Sequence, residues 1–127
     1  MRKVVHFEIP AEDLERAKSF YGSIFGWELT TMPMPGGEYT TVTTTPVDQA
    51  TQLPSEVGGI NGGMMQRTPE LRSPVITIDV DAIDDALQQV ESNGGSTVTP
   101  RTEIAGMGAF AYFTDTEGNV LGLWETA

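Results

Sequence analysis

The 127 residues contain one histidine, and it stands two positions before a glutamate in the run Val4-Val5-His6-Phe7-Glu8-Ile9. Period-two alternation puts His6 and Glu8 on one face of a strand and Val5, Phe7 and Ile9 on the other. An imidazole and a carboxylate on one strand face suit general acid–base chemistry near neutral pH. Asp79 occupies a second alternating run, Val75-Ile76-Thr77-Ile78-Asp79-Val80, and can assist. Glu8, His6 and Asp79 are therefore the candidate catalytic residues. A structural role competes for each. His6 can hydrogen-bond in a polar floor, Glu8 can pair with Arg16, Arg101 or a backbone donor, and Asp79 can merely flank a helix cap at Asp81.

Six residues are candidates for ligand binding: Tyr39, Asn61, Met64, Phe110, Tyr112 and Trp124. Apart from Asn61 they are aromatic or thioether side chains, joined by Met65, on strands with a face not needed to cover a helix. Such side chains suit an apolar or planar ligand, with ordinary core packing as the competing role. Trp27 reads as a staple between helix and sheet. Gly106-Met107-Gly108 reads as a loop able to close over a pocket or as a simple turn. The glycine run Gly58 to Gly63 lacks a following helix, so it is no phosphate loop, and no Gly-x-Ser-x-Gly is present.

The elements that must position these groups can be read in order. Pro10 ends the first strand. Leu14, Ala17, Tyr21, Ile24 and Phe25 follow at helical spacing behind Asp13 as N-cap, and Gly26 stops the helix. Trp27–Met32 and Glu38–Thr45 read as strands around a turn at Pro35-Gly36-Gly37, and Ile60–Gln66 as a strand thinned by glycines. The order then repeats. Val75–Val80 is a strand, Asp81 a cap, and Ile83, Ala86, Leu87 and Val90 form a helix closed by Gly94-Gly95. Ser96–Thr99, Ala109–Thr114 and Asn119–Glu125 are strands, the last two joined by the turn Asp115-Thr116-Glu117-Gly118. Each half is βαβββ: module one spans 1–67 and module two 74–127, within one domain, 1–127. Two such units packed edge to edge can curve their free faces around a cavity.

Composition excludes several classes. Without cysteine there is no disulfide, thiolate nucleophile or Cys-based metal site. Eighteen acids against seven Lys and Arg give a net charge of −11. A surface this acidic repels polyanions, and no basic cluster exceeds Arg2-Lys3, so neither nucleic acid nor an anionic membrane is an expected partner. No apolar run approaches the roughly 20 residues of a membrane span. The expected location is the cytoplasm and the expected partner a small molecule. The acid-rich, lysine-poor skew fits a salt-rich cytoplasm and an ordinary acidic protein equally.

The run Val5 to Tyr21, then Phe25-Gly26-Trp27, and the late Phe113-Thr114-Asp115-Thr116-Glu117-Gly118-Asn119 resemble the vicinal oxygen chelate superfamily. That group includes glyoxalase I, bleomycin-resistance proteins and extradiol dioxygenases, and the resemblance is strongest to glyoxalase-related members of unassigned function. It implies an α+β fold in which two tandem βαβββ modules form a cupped eight-stranded mixed sheet with helices on the outer face, often as a homodimer. It also implies, in metal-dependent members, one divalent Zn, Ni or Fe ion held by residues of the first, fourth, fifth and eighth strands. His6 matches the first position. The fourth strand offers only Asn61 or Gln66, Val75 replaces a histidine on the fifth, and Gly122 replaces a glutamate on the eighth. Gly62, Gly63 and Gly122 thereby remove bulk, which reads either as extra room for a ligand or as a mere strand bulge, and Glu125, of opposite parity, faces the helix or the rim. One ligand of four is short of the three that a catalytic site needs, so no metal cofactor is expected. If an ion binds, His6 with Glu8 and Asp79 would hold it.

Three readings follow. The leading one is a metal-free pocket protein for a small metabolite or toxin, whose catalysis, if any, is proton-transfer lyase or isomerase chemistry. The second is a metal-dependent lyase of the glyoxalase I type. The third is a non-catalytic sequestering protein like those of bleomycin resistance.

Overall fold

A computed structural model of the chain describes residues 1–34 and 37–127. The expected turn at Pro35-Gly36-Gly37 falls largely outside the described residues. The fold is α+β; among the described residues, eight strands and two helices are arranged as βαβββ twice over. The chain forms two compact units, His6–Pro74 and Val75–Ala127 with Met1–Val5.

The first unit holds β1 (Val4–Ala11, beginning just before it), α1 (Leu14–Phe25), β2 (Glu28–Met34), β3 (Gly37–Thr43) and β4 (Gly62–Gln66). Its strands run in the order β2-β3-β4-β1, with β4 parallel to β1 and the other neighbours antiparallel. The alternation in β1 works as expected: Phe7, Ile9 and Ala11 join Val42, Met64 and the inner side of α1 in one core. Asp13 caps α1 by accepting from the Arg16 amide at 3.0 Å. Gly26 ends the helix at φ 69°, a left-handed conformation that costs a residue with a Cβ but not glycine. Trp27 does staple helix to sheet, stacking on Tyr21 of α1 with ring centroids 5.3 Å apart and touching Phe7 of β1.

The second unit holds β5 (Val75–Asp79), α2 (Ile83–Ser92), β6 (Ser96–Ile104), β7 (Gly108–Thr114) and β8 (Val120–Thr126). The order β6-β7-β8-β5 repeats that of the first unit, again with a parallel last pair. Lys3, at the start of the chain, accepts from the Asp79 amide at 2.9 Å. Ile83 and Leu87 of α2 pack on Ala109, Ala111, Phe113 and Leu123.

Three local expectations need correction. β1 does not end at Pro10 but runs through it to Ala11, in register with Met65 and Gln66 of β4. β6 does not end at Thr99 but continues to Ile104, with register shifts on either side of Thr99. Pro100 has no N–H to give the ladder, and the irregularity lets the strand pass it. Asp81 is not the cap of α2. Ala82 holds that position without a side-chain bond, and the Glu125 carboxylate reaches over from β8 to accept the Ile83 amide at 2.8 Å. Asp81 instead pairs with Arg2 at 2.6 Å. The turn after β7 forms as read, with Asp115 Oδ1 accepting the amides of Glu117 and Asn119 at 2.8 and 2.9 Å. No helix is long and apolar enough to cross a membrane among the described residues.

Candidate functional site

Because Phe7, Ile9 and Ala11 turn into the core under α1, His6 and Glu8 stand on the opposite face of β1. β3 alternates in the same way. Val42 is in that core and Thr40, 1% exposed, bonds Thr31 at 2.8 Å, so Tyr39 lies on the face shared with His6 and Glu8. Here the three side chains meet. The Tyr39 phenol donates to Glu8 Oε2 at 2.9 Å, and His6 Nε2 lies 3.3 Å from the phenolic oxygen and 3.8 Å from Glu8 Oε2. With the phenolic hydrogen directed to Glu8, the imidazole contributes the Nε2–H and the phenolic oxygen accepts it. Glu8 is 7% exposed, and a carboxylate buried so far needs such a partner.

Tyr39 reaches Glu8 by crossing β4, which runs between their two strands, and it does so over Gly63, the residue in register with Glu8. A Cβ at Gly63 would lie 2.8 Å from Tyr39 Cε1 and closer still to Cζ and Oη. The expectation that Gly62, Gly63 and Gly122 leave room in the site is therefore corrected. The space beside Gly63 holds the Tyr39 phenol, that beside Gly62 holds Phe7, and that beside Gly122 holds the Thr77 hydroxyl, 2.7 Å from where a Cβ would stand.

The remaining candidates are placed as follows. Met64 is fully buried in the core with Ala11 and Val42, on the face of β4 away from Tyr39, and so packs under α1 instead of lining a ligand surface. Asn61 commits its Oδ1 to the amides of Thr44 and Thr45, at 2.8 and 3.0 Å, fixing the end of β3 against the approach to β4. In the second unit, the helix-facing positions of β7 and β8 are Ala109, Ala111, Phe113, Leu121 and Leu123. Phe110, Tyr112 and Trp124 therefore share the other face, where Trp124 lies between Asp79 of β5 and Phe110 of β7 in register. Phe110 and Tyr112 meet edge to face with centroids 5.7 Å apart, and the Trp124 indole donates to Thr126 Oγ1 at 3.1 Å. Arg101, a possible partner for Glu8 on sequence grounds, is bound by Glu125 at 2.9 Å. That bond, together with the Ile83 amide, holds the Glu125 carboxyl below its ordinary value. Gly106 and Met107 form a hairpin turn closed by the Met107 amide on Ile104.

The donor set does not fit the divalent ion that the resemblance implies. In the first unit His6 and Glu8 are two donors, but the fourth-strand position is Gly63, and the phenol of Tyr39 occupies its side-chain space. Among the described residues no three His, Asp or Glu side chains gather in a group that could hold a metal ion. Zn, Ni or Fe in a catalytic role needs about three protein ligands.

Sequence reasoning paired His6 with Glu8 on one strand face but singled out Tyr39 separately, and missed the phenol that joins the two. The available signal was Gly63, since glycine inside a strand often marks the close approach of a neighbour.

A family model described as bleomycin resistance protein-like N-terminal matches residues 3–45. A glyoxylase-like domain-containing protein of Didymella fabae is 31% identical over 121 residues, which cover 88% of this chain and 84% of that protein. A putative glyoxylase of Mycobacterium bovis is 30% identical over 120 residues, covering 93% of this chain; the chain spans only 43% of that relative's length. Among solved structures, a variant of Streptomyces coelicolor methylmalonyl-CoA epimerase in complex with 2-nitronate-propionyl-CoA shares the fold, with TM-score 0.65, 16% identity, and coverage of 98% of this chain and 94% of that one. Twice-repeated βαβββ units, the opening motif and a relative matched over most of both lengths agree: the chain belongs to the glyoxalase-like vicinal oxygen chelate superfamily.

Proposed function

We propose that the protein binds a small, partly apolar metabolite or toxin and moves a proton on it, in an isomerase or lyase step that does not use a divalent ion. The observation that carries this reading is the buried Glu8 carboxylate held by the Tyr39 phenol, with His6 on the same phenol. Glu8 is the base. It takes a proton from a carbon next to a carbonyl, the C–H electron pair passes into the enolate, and the proton returns to the same carbon or its neighbour. A carboxylate has about four lone-pair positions, so accepting from Tyr39 is compatible with taking up that proton. Tyr39 fixes the carboxylate, and His6 serves as the proton donor or acceptor at the far end of the phenol. In the second unit, the half-buried Phe110 and Trp124, backed by the buried Tyr112 and with Asp79 beside Trp124 in register, offer apolar area suited to an apolar or planar group.

The test is exchange of carbon-bound hydrogen in D2O, followed by NMR, on the hemithioacetal of methylglyoxal and on 2-substituted acyl thioesters. One of these is expected to exchange in chelator-treated protein. Glu8→Gln is expected to slow exchange about 100-fold or more, the usual scale for a positioned base. Exchange that disappears with chelator and returns with Ni or Zn would favour the metal-dependent lyase. The match of residues 3–45 to the bleomycin-resistance model supports a second reading, sequestration without turnover. Ligand binding with no exchange in any substrate would favour it.

A further inference from the structure

The face of the first unit that carries His6, Glu8 and Tyr39 divides into rows of different chemistry. Glu8 of β1 lies opposite Gly63 of β4, Gly63 opposite Thr41 of β3, and Thr41 opposite Thr30 of β2. That row is polar. In the next row on the same face Pro10 lies opposite Met65 and Tyr39 opposite Met32, and the pairing of Thr40 with Met64 sets Tyr39 beside Met65. Leu29 and Met64 turn into the core, so Met32, Met34 and Met65, of the other parity, share the face of Tyr39. This second row is apolar, and the Tyr39 phenol crosses from it to reach Glu8 in the first.

Three of the six methionines gather here. The others are Met1, Met64 in the core and Met107 in a hairpin turn of the second unit. Met32 is 42% exposed, and Met34 and Met65 are half-buried. Earlier in β2 the same face carries Glu28 and Thr30, as a solvated strand would. Adjoining apolar side chains left at a surface mark a binding area, whereas single ones do not. No side chain in the row is charged. The row runs from β1 to β2, a strip roughly 14 Å long at the usual strand spacing. A strip one side chain wide suits a linear chain better than a fused ring. Methionine, unbranched and polarizable, packs against tails of differing length.

We propose that Met65, Met32 and Met34, with the ring of Tyr39, form the subsite for an unbranched aliphatic tail on the substrate, and that this tail selects which molecules present a carbonyl to Glu8. Only the position of the reacting end, at Glu8, rests on the proton-transfer reading.

Titration of the full chain, isotope-labelled at its methionine methyl groups, with 2-octanone tests it by NMR, with 2-butanone as the short-tailed control. Expected is saturable binding of 2-octanone that shifts the Met32, Met34 and Met65 methyl signals and leaves those of Met64 and Met107 in place. Its affinity is expected to exceed that of 2-butanone at least tenfold, from about twofold for each added methylene covered on one side. Met65→Thr is expected to weaken 2-octanone binding severalfold with little change for 2-butanone. Because Met65 adjoins Tyr39, Met32→Thr at an exposed position is the second variant, expected to weaken 2-octanone about threefold with the spectrum otherwise intact. Glu8→Gln, which stops proton transfer, is expected to keep the discrimination between the ketones, so failure of the base and failure of the subsite are told apart. No saturable shift, equal affinity for the two ketones, shifts confined to Met64 or Met107, or discrimination that survives both methionine changes would each overturn the proposal. So would Met32 and Met65 shifts that follow protein concentration without ketone, the mark of a second copy on the strip.

Discussion

Replacing Gly63 by alanine tests whether the meeting of Tyr39 and Glu8 depends on a missing side chain. The backbone there lies outside the left-handed region, so alanine carries no conformational penalty, and its ordinary effect in a strand would be a gain of about 0.4–1 kcal/mol from a less flexible unfolded chain. The nearest obstacle is Tyr39, whose Cε1 would stand 2.8 Å from the new methyl, with Cζ and Oη nearer. The ring must leave, taking with it the bond to Glu8, and a hydrogen bond to a charged group contributes about 1.5–3 kcal/mol. Subtracting the alanine gain and adding roughly 1 kcal/mol for displaced packing gives a net loss of about 2–3 kcal/mol. At a urea m-value of about 2 kcal/mol/M, the midpoint falls by about 1–1.5 M with the slope unchanged. A double-mutant cycle supplies the decisive assay. In a Tyr39→Ala background Gly63→Ala meets nothing and is expected to be neutral or slightly stabilising, a coupling of at least about 2 kcal/mol. In a Tyr39→Phe background the ring still blocks the methyl, so a penalty persists without the hydrogen bond. Additivity within about 0.5 kcal/mol between Gly63→Ala and Tyr39→Ala would refute the reasoning, since it would mean the two residues do not share that space.

Three other outcomes are expected. Asp13→Ala removes the acceptor for the Arg16 amide and is expected to cost about 1 kcal/mol, seen as a fall of a few degrees in Tm. Glu125→Gln removes a carboxyl that Arg101 and the Ile83 amide hold below its ordinary 4.5. A lowered folded value means stability fully present above the ordinary 4.5 and lost as pH falls through the lowered value, so the variant's deficit in urea midpoint is expected in full at pH 7 and is expected to shrink progressively as pH falls below 4.5. A deficit independent of pH would refute that assignment. Millimolar Ni or Zn is expected to shift Tm by less than about 1 °C, whereas an ion bound with micromolar Kd would add about 4 kcal/mol of stability at that concentration.

Local pattern carried much of the fold. The alternation in β1, the caps of α1 and the Asp115 turn are settled by residues near one another in the chain, and each forms as its sequence implies. What escaped depends on partners far away. Glu125 caps α2 from 42 positions along the chain, Asp81 turns to Arg2 across 79, and Pro100 is passed by a shift of register against β7. The core position of Met64 is not legible in the sequence, because Gly62-Gly63-Met64-Met65 has no apolar–polar alternation to reveal parity.

The internal repeat explains why His6, Glu8 and Tyr39 gather in one unit. Register aligns Glu8 opposite Gly63 in the parallel pair β1–β4, and Thr77 opposite Gly122 in the parallel pair β5–β8. Counting from those pairs, His6 corresponds to Val75, and Met64 to Leu123, which is likewise in the core. Both units thus put glycine where the resemblance implies a carboxylate ligand, and in both a hydroxyl-bearing side chain moves in, Tyr39 from β3 in the first and Thr77 from β5 in the second. The consequences differ. In the first unit the incoming phenol meets a carboxylate and an imidazole, and three groups that can exchange a proton stand within 3.8 Å of one another. In the second, the position equivalent to Glu8 is itself the hydroxyl, and the position equivalent to His6 is the apolar Val75. Acid–base chemistry therefore has a physical basis in the first unit that the same fold, with those two residues changed, lacks in the second.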